Sequence, residues 1–276
     1  MSEPNAPQVE YWNHAVGSTW VEMQSPLDRQ LEPLGRRAMA ALDLKPGERV
    51  LDVGCGGGTT SLALAALVAP EGQVTGVDIS RPLLETARRN ATGVAGVQFV
   101  EADAQTYPFA PGGFDAAFSR FGVMFFADPA AAFANIRKAL KPGGRLAFVC
   151  WRAPAENPIM VLPMAAASPH LPPAPPPEPD APGPFAFADA NRVRDILGAA
   201  GFAGVEVQPF DLKIGSGGLD TALEVALKVG PLGRQLRENP DQREVVIAAV
   251  RAALAPHETP DGVKLGSATW IVTATA

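Results

Sequence analysis

The sequence predicts an α/β protein built on an open, doubly wound, mostly parallel sheet. Three observations predict it. An apolar run, "RVLDVG" (49–54), leads through Gly54, Cys55, Gly56, Gly57 and Gly58 into an Ala/Leu-rich run, "TTSLALAALVA" (59–69). That is the pattern of a buried strand feeding a helix through a tight turn. Two more strand-like runs, "QVTGVDIS" (73–80) and "VQFVEAD" (97–103), carry acids near their ends, Asp78 and Asp103. Helix-like segments alternate with these strands, as crossovers between parallel strands require.

The remaining elements follow in order. Residues 1–24 are polar with interleaved aromatics, Tyr11, Trp12 and Trp20. Ser25-Pro26 opens a helical stretch with Leu27, Leu31 and Leu34 on one stripe. Pro33 is expected to kink or split it before it runs on to Leu42. Ser80, with Pro82 in the first turn, caps the helix "PLLETARRN". "FDAAFSR" (114–120) is a fourth strand, and Asp128-Pro129 reads as N-cap and first helical position. That helix carries Phe133, Ile136 and Leu140 on one face until Lys141-Pro142-Gly143-Gly144 stops it, and "RLAFVCW" (145–151) is the fifth strand.

From 169 to 184, nine of sixteen residues are proline, which excludes a helix or central strand and predicts a surface loop. "DANRVRDILGAAGF" (189–202) is a capped helix and "VEVQPFDLKIG" (205–215) a sixth strand. Helical patterns over 219–255 break at Gly230-Pro231 and near Asn239-Pro240, and "VKLGSATWIVTATA" (263–276) is the last strand. The expected organisation is an N-terminal helical segment (1–44), a core (45–152), a Pro-rich insertion (153–188) and the rest of the sheet (189–276) with a helical insert at about 217–256.

Composition narrows the function. With 276 residues, 47% of them hydrophobic, the chain is long enough for one large domain with an elaborated cap. The net charge of −6 argues against a nucleic-acid partner. Cys55 and Cys150 stand far apart, outside any C-x-x-C or Cys/His cluster, so neither a metal site nor a disulfide is implied. The leader lacks a signal-peptide pattern and no apolar run spans a bilayer, so a cytoplasmic protein is expected.

The glycine loop brings backbone against a ligand, and the helix behind it presents free N–H groups to an anion. A dinucleotide fingerprint begun at Gly54 needs glycine at 59, where Thr59 stands, so an NAD oxidoreductase is a distant reading. The register is Gly54-x-Gly56-x-Gly58, preceded by Asp52. Asp78 either accepts ribose hydroxyls or caps a helix, and Ser80 is expected to take the capping role and leave it free. A carboxylate at Asp103, with the Ala104 N–H beside it, suits an adenine edge.

On these motifs the chain resembles the class I S-adenosylmethionine-dependent methyltransferases, in their small-molecule branch with the ubiquinone/menaquinone-type enzymes. "VLDVGCGGG" resembles their first motif, "VTGVDIS" the ribose motif and "VEADAQTYPF" the adenine motif, and the likeness is continuous from about 45 to 151, including the "LKPGG" turn. The resemblance implies a Rossmann-like, seven-stranded sheet with the last strand antiparallel and helical cap insertions. It implies S-adenosylmethionine as cofactor, with S-adenosylhomocysteine as product. The methionine part would lie over Gly54, Gly56 and Gly58, with Asp52, Cys55 and Gly57 in the same loop. Asp78 would hold the ribose, Ile79 pack on the adenine and Asp103 with Ala104 read its edge. Ser119 would face the cofactor and Trp20 would close over it.

The acceptor is expected beyond the fourth and fifth strands, against Arg120, Phe121, Met124, Phe125 and Trp151, with Tyr11 and Trp12 from the leader. At least two of Phe121, Met124, Phe125 and Phe126 are expected in the core. Arg120 either binds an acceptor anion or pairs with a structural carboxylate. The N-terminal aromatics either form a lid or pin the leader to the core. Several family members carry a histidine just before the Asp-Pro, where Met124, Phe125 and Phe126 stand here, which leaves His14 as the candidate base. The leading expectation is methyl transfer to a small, partly apolar acceptor. Protein or RNA methylation, or a non-catalytic S-adenosylmethionine-binding subunit, are the alternatives. The lack of an Asn/Asp-Pro-Pro-aromatic motif argues against amino methylation of nucleobases or glutamine.

Overall fold

A computed structural model describes residues 5–173 and 181–276. The chain opens with helices α1 (Ala6–Asn13), α2 (Ala15–Glu22) and α3 (Gln24–Ala41), then alternates β1 (Arg49–Val53), α4 (Thr59–Val68), β2 (Gln73–Asp78), α5 (Arg81–Asn90) and β3 (Val97–Glu101). Next come β4 (Phe114–Arg120), α6 (Pro129–Ala139), β5 (Leu140–Trp151), α7 (Pro158–Ala167), α8 (Ala190–Ala199) and β6 (Ala203–Ile214). Helices α9 (Leu219–Lys228), α10 (Gly230–Glu238) and α11 (Arg243–Leu254) precede the small hairpin β7 (Glu258–Thr259)–β8 (Gly262–Val263) and β9 (Leu265–Thr275).

Seven strands form one sheet in the order β3-β2-β1-β4-β5-β9-β6. β1 to β5 run parallel. β9 enters antiparallel between β5 and β6, which is the expected topology. The central strands are apolar because helices cover both faces: Val50, Leu51, Ala116, Ala117, Phe118 and Phe148 are completely buried. The carboxyl ends of β1, β2 and β4 share one rim, so the turns after them converge.

Local chemistry sets the element ends. Asp128 Oδ1 accepts from Ala131 N at 3.0 Å with Pro129 in the first turn, and Asp189 caps α8. α6 stops at Ala139 because Leu140 is already extended and pairs with Phe114. Pro33 does not split α3, which is continuous from Gln24 to Ala41. Leu27 and Leu31 before it, and Leu34, Ala38 and Met39 after it, are all buried. That shared apolar face outweighs one missing backbone hydrogen bond.

A second apolar cluster joins the insertions. Leu223, Leu227, Leu232, Leu236, Val246, Val250 and Leu254 of α9–α11 pack with Ala167 and Leu171. Met23 and Leu27 of the leader meet Val225 of α9. Residues 174–180 of the proline-rich stretch lie outside the described residues. Its far end is anchored by Gly183 N, which donates to the Met124 carbonyl at 3.0 Å. Among the described residues no helix is long and apolar enough to cross a membrane.

Candidate active site

The glycine loop turns on three left-handed residues, Gly54 (φ 68°), Gly56 (φ 53°) and Gly58 (φ 85°), a region open to glycine at no steric cost. Each does a different job. A Cβ at Gly54 would lie 2.8 Å from Gly122 Cα, so the loops after β1 and β4 touch backbone to backbone. A Cβ at Gly56 would meet nothing within 4 Å and would stand in the cavity above the loop. At Gly58 it would meet the Ala87 Cβ at 2.9 Å. Gly58 therefore packs α4 on α5 and is not part of the cavity wall, contrary to expectation.

Two other expected cofactor contacts lie behind the wall. Asp52 is fully buried, and its Oδ2 accepts from Thr60 Oγ1 at 2.7 Å and Ser61 Oγ at 2.6 Å. It anchors the start of α4, while its Oδ1 is buried without a partner. Burial pushes its pKa up to about 6 against the two hydroxyl donors. Ser119 is also fully buried; its hydroxyl donates to the Val53 carbonyl at 2.7 Å and accepts from Gly122 N at 3.2 Å. It fastens the two loops and does not reach the cavity.

The rim acids do face the cavity. Asp78 Oδ2 accepts from Gly56 N and Oδ1 from Ser80 N, each at 2.8 Å. It is thus not left free by Ser80: the Ser80 hydroxyl donates instead to the Trp12 carbonyl at the end of α1, at 2.9 Å, where helix carbonyls lack partners. Enclosure raises the Asp78 pKa, opposed by those N–H donors. Asp103 Oδ1 accepts from Gln105 N at 2.8 Å. Ile79, Ala102 and Ala104 lie beside the two acids in the wall. Cys55 lines the same end as a buried thiol whose pKa burial raises well above its usual value.

The leader closes over this rim. Asn13 Nδ2 donates to the Ile79 carbonyl at 2.7 Å, and Gln24 Nε2 to the Gly57 carbonyl at 3.3 Å. Trp12 meets Trp20 at 5.6 Å and Phe125 at 5.3 Å between ring centroids, and Tyr11, Trp12 and Trp20 all line the cavity. His14 does not. It sits at the junction of α1 and α2 with its side chain exposed, so the expected candidate base is outside the site.

Arg120 lines the cavity but is spoken for: its Nη2 lies 2.6 Å from Asp28 Oδ1, with both side chains largely buried. Asp28 Oδ2 accepts from Thr59 Oγ1 at 2.6 Å. This pair joins α3, β4 and, through Thr59, the start of α4, which favours the structural alternative for Arg120. Phe121 has φ 62°, rare for a bulky side chain, and stacks on Trp151 with centroids 4.3 Å apart. Phe121, Met124 and Phe126 are core residues that also touch the cavity, which meets the expectation of at least two of the four.

These surfaces line one continuous cavity of about 880 Å³. One end is backbone, carboxylates and amides. The other is apolar, with Ile159, Met160 and Met164 of α7, Val225 of α9 and Leu254 of α11. Asn5, Gln24 and Asp28 were not singled out by sequence; they carry no local motif. Among the described residues no group of three or more His, Cys, Asp or Glu is placed to hold a metal ion.

The segment that builds the loop and both acids matches a family model described as a methyltransferase domain, over residues 50–144. Residues 50–144 form a methyltransferase domain. The aklanonic acid methyltransferase DauC of Streptomyces sp. (strain C5) is 37% identical over 118 residues, 42% of this chain and 54% of that protein. The demethylmenaquinone methyltransferase of Staphylococcus aureus (strain JH9) is 35% identical over 109 residues, 40% of this chain and 45% of its own. The matched segment thus spans about half the length of these curated relatives. The crystal structure of the YcgJ protein from Bacillus subtilis shares the fold, with a TM-score of 0.56 at 20% identity over 89% of this chain and 97% of that one. The resemblance to class I methyltransferases is borne out, and with it S-adenosylmethionine as the cofactor of this domain family.

The residues present fit that cofactor. Gly56 leaves open space where any other residue would put a Cβ. Asp78 and Asp103 offer acceptors at two neighbouring strand tips, and the cavity continues past them into apolar walls.

Proposed function

We propose that the protein transfers a methyl group from S-adenosylmethionine to a small, largely apolar acceptor. The observation that carries this reading is the continuity of the cavity, from the glycine loop with Asp78 and Asp103 to the walls of α7, α9 and α11. Gly54 and Gly56 present backbone to the methionine part, Asp78 accepts from the ribose, and Asp103 with Ala104 reads the adenine. Ile79 packs beside the base. The described part of the leader, residues 5–44, is the lid, with Trp20 on the cofactor side and Tyr11 and Trp12 toward the acceptor. The described parts of the 153–188 insertion, with the 217–256 insertion, form the cap.

When bound, S-adenosylmethionine supplies a methyl group activated by a sulfonium. The chain supplies alignment and dryness. Phe121, stacked on Trp151 and fixed by Phe121 N donating to the Val149 carbonyl at 3.1 Å, is a rigid wall at the point where the two halves meet. Met124 and Phe125 extend it. A small-molecule acceptor is favoured over a protein or RNA because the lid meets the cap at Met23, Leu27 and Val225, and because the net charge is −6. The names of the two relatives point the same way, each carrying a small-molecule acceptor.

Calorimetry tests the cofactor half. S-adenosylhomocysteine should bind and NADH should not. Asp78→Ala should weaken S-adenosylhomocysteine by about 1.5–3 kcal/mol, the scale of hydrogen bonds to a charged acceptor. NADH binding alone, or unchanged affinity in a folded Asp78→Ala variant, would overturn the assignment.

A further inference from the structure

Asn5 is the first described residue, yet it is 3% exposed and lines the cavity. Both polar atoms of its side chain are engaged. Nδ2 donates to Asp103 Oδ2 at 2.8 Å and to Gln105 Oε1 at 3.4 Å, and Oδ1 accepts from Ala127 N at 2.7 Å. The backbone N–H at Ala127 can only face an oxygen, so this network fixes which way the carboxamide points. Gln105 is held in turn by Asp128 N, which donates to its Oε1 at 3.0 Å. The Asn5 carbonyl accepts from Gln8 N and Val9 N, each at 2.9 Å, and so starts helix α1.

The consequence falls on Asp103. An aspartate carboxyl rotates readily about its last torsion. Here Gln105 N holds Oδ1 and Asn5 holds Oδ2, which locks the plane of the group. Each carboxylate oxygen accepts at more than one site, so Oδ2 keeps acceptor capacity for a second donor arriving from the cavity.

We propose that Asn5 is a positioning residue for base recognition: it aims Asp103 at the exocyclic amino group of adenine, so the cofactor's base is read only when the lid is in place. This rests on the methyltransferase reading of the site. It adds to that reading a residue 98 positions away that sets specificity without being the acceptor itself. A base with an oxo group in place of the amino group would bring an acceptor against a fixed acceptor.

The test is a ratio of affinities. S-adenosylhomocysteine and its 6-oxo analogue, S-inosylhomocysteine, are titrated calorimetrically into the wild type, Asn5→Ala and Asn5→Asp. The wild type should prefer the adenine ligand by at least about tenfold, the size of one charge-assisted hydrogen bond. In Asn5→Ala most of that preference should vanish because the adenine ligand weakens while the 6-oxo ligand changes little. Asn5→Asp keeps the acceptor for Ala127 N but sets a second carboxylate against Asp103, and should lose the preference as well, recovering part of the adenine affinity as the pH is lowered. Equal weakening of both ligands would mean a merely structural role, and tighter binding of S-adenosylhomocysteine would mean that Asn5 competes for Asp103; either overturns the inference, as does a preference retained in both variants. A wild type with no preference would instead overturn the assignment of Asp103 to adenine, and this inference with it.

Discussion

The two ends of the cavity are made of different material. At the glycine-loop end, the cavity-facing atoms belong mainly to backbone and to acids at strand tips, and their positions follow from sheet register. At the cap end, the wall is side chains of α7, α9 and α11, helices that pack mostly on one another. The first end is specified by conformation, because only certain residues can occupy it. The second is specified by volume, and many apolar sets fill a volume equally well. A shared cofactor with divergent acceptors is what that contrast allows.

The contrast breaks most sharply at Gly54. Gly54→Ala forces an alanine to φ 68° with its Cβ 2.8 Å from Gly122 Cα. We expect a loss of about 3 kcal/mol or more in stability, with cofactor binding lost beyond measurement. Denaturant unfolding and calorimetry check it. Near-normal behaviour would mean the loop yields, and conformation would not be its specification.

Asp52 gives a smaller effect with a pH signature. Its pKa rises from 3.8 to about 6 because burial penalises the charge. The folded state therefore favours the protonated form. The stability it contributes is full below the unfolded value of about 3.9 and is lost as pH rises through about 6. Asn at this position is never charged and keeps an acceptor for Thr60 and Ser61. Asp52→Asn should match the wild type near pH 4 and exceed it by up to roughly 3 kcal/mol at pH 7.5. Unfolding curves at the two pH values decide; a constant difference would tie the effect to packing.

The smallest effect is expected at the cap. Val225→Ala trims a residue that lines the cavity and packs on Met23 and Leu27. It should cost about 1 kcal/mol of stability and leave S-adenosylhomocysteine affinity within about twofold, measured side by side with Asp78→Ala. Parallel losses in the two variants would mean that the ends do not separate.

The same contrast explains what the sequence made legible. That Gly54, Gly56, Asp78 and Asp103 line one end of the cavity was readable because backbone geometry restricts which residues can stand there. Ser119 and Asp52 misled because a polar residue near a strand end faces a cavity or seals a neighbouring loop with equal ease. In sequence, Ser119 bonding the Val53 carbonyl looks the same as Ser119 facing a ligand. Asn5, Gln24 and Asp28 gave no signal, since each acts on a partner dozens of positions away. Pro33 looked like a break because local propensity is silent about the apolar face that holds α3 together. The aromatic leader did announce itself, but its polar anchors, Asn5 and Asn13, did not.

Phe121 is held in the left-handed region at the seam between the two ends. Glycine there would relax the backbone and at the same time remove a ring stacked on Trp151. Most enlargements of a pocket spend stability, since they leave a void in a close-packed wall. At this one position the void comes with relief of torsional strain. Under the proposed methyl transfer, position 121 is the place to enlarge the acceptor end of the cavity.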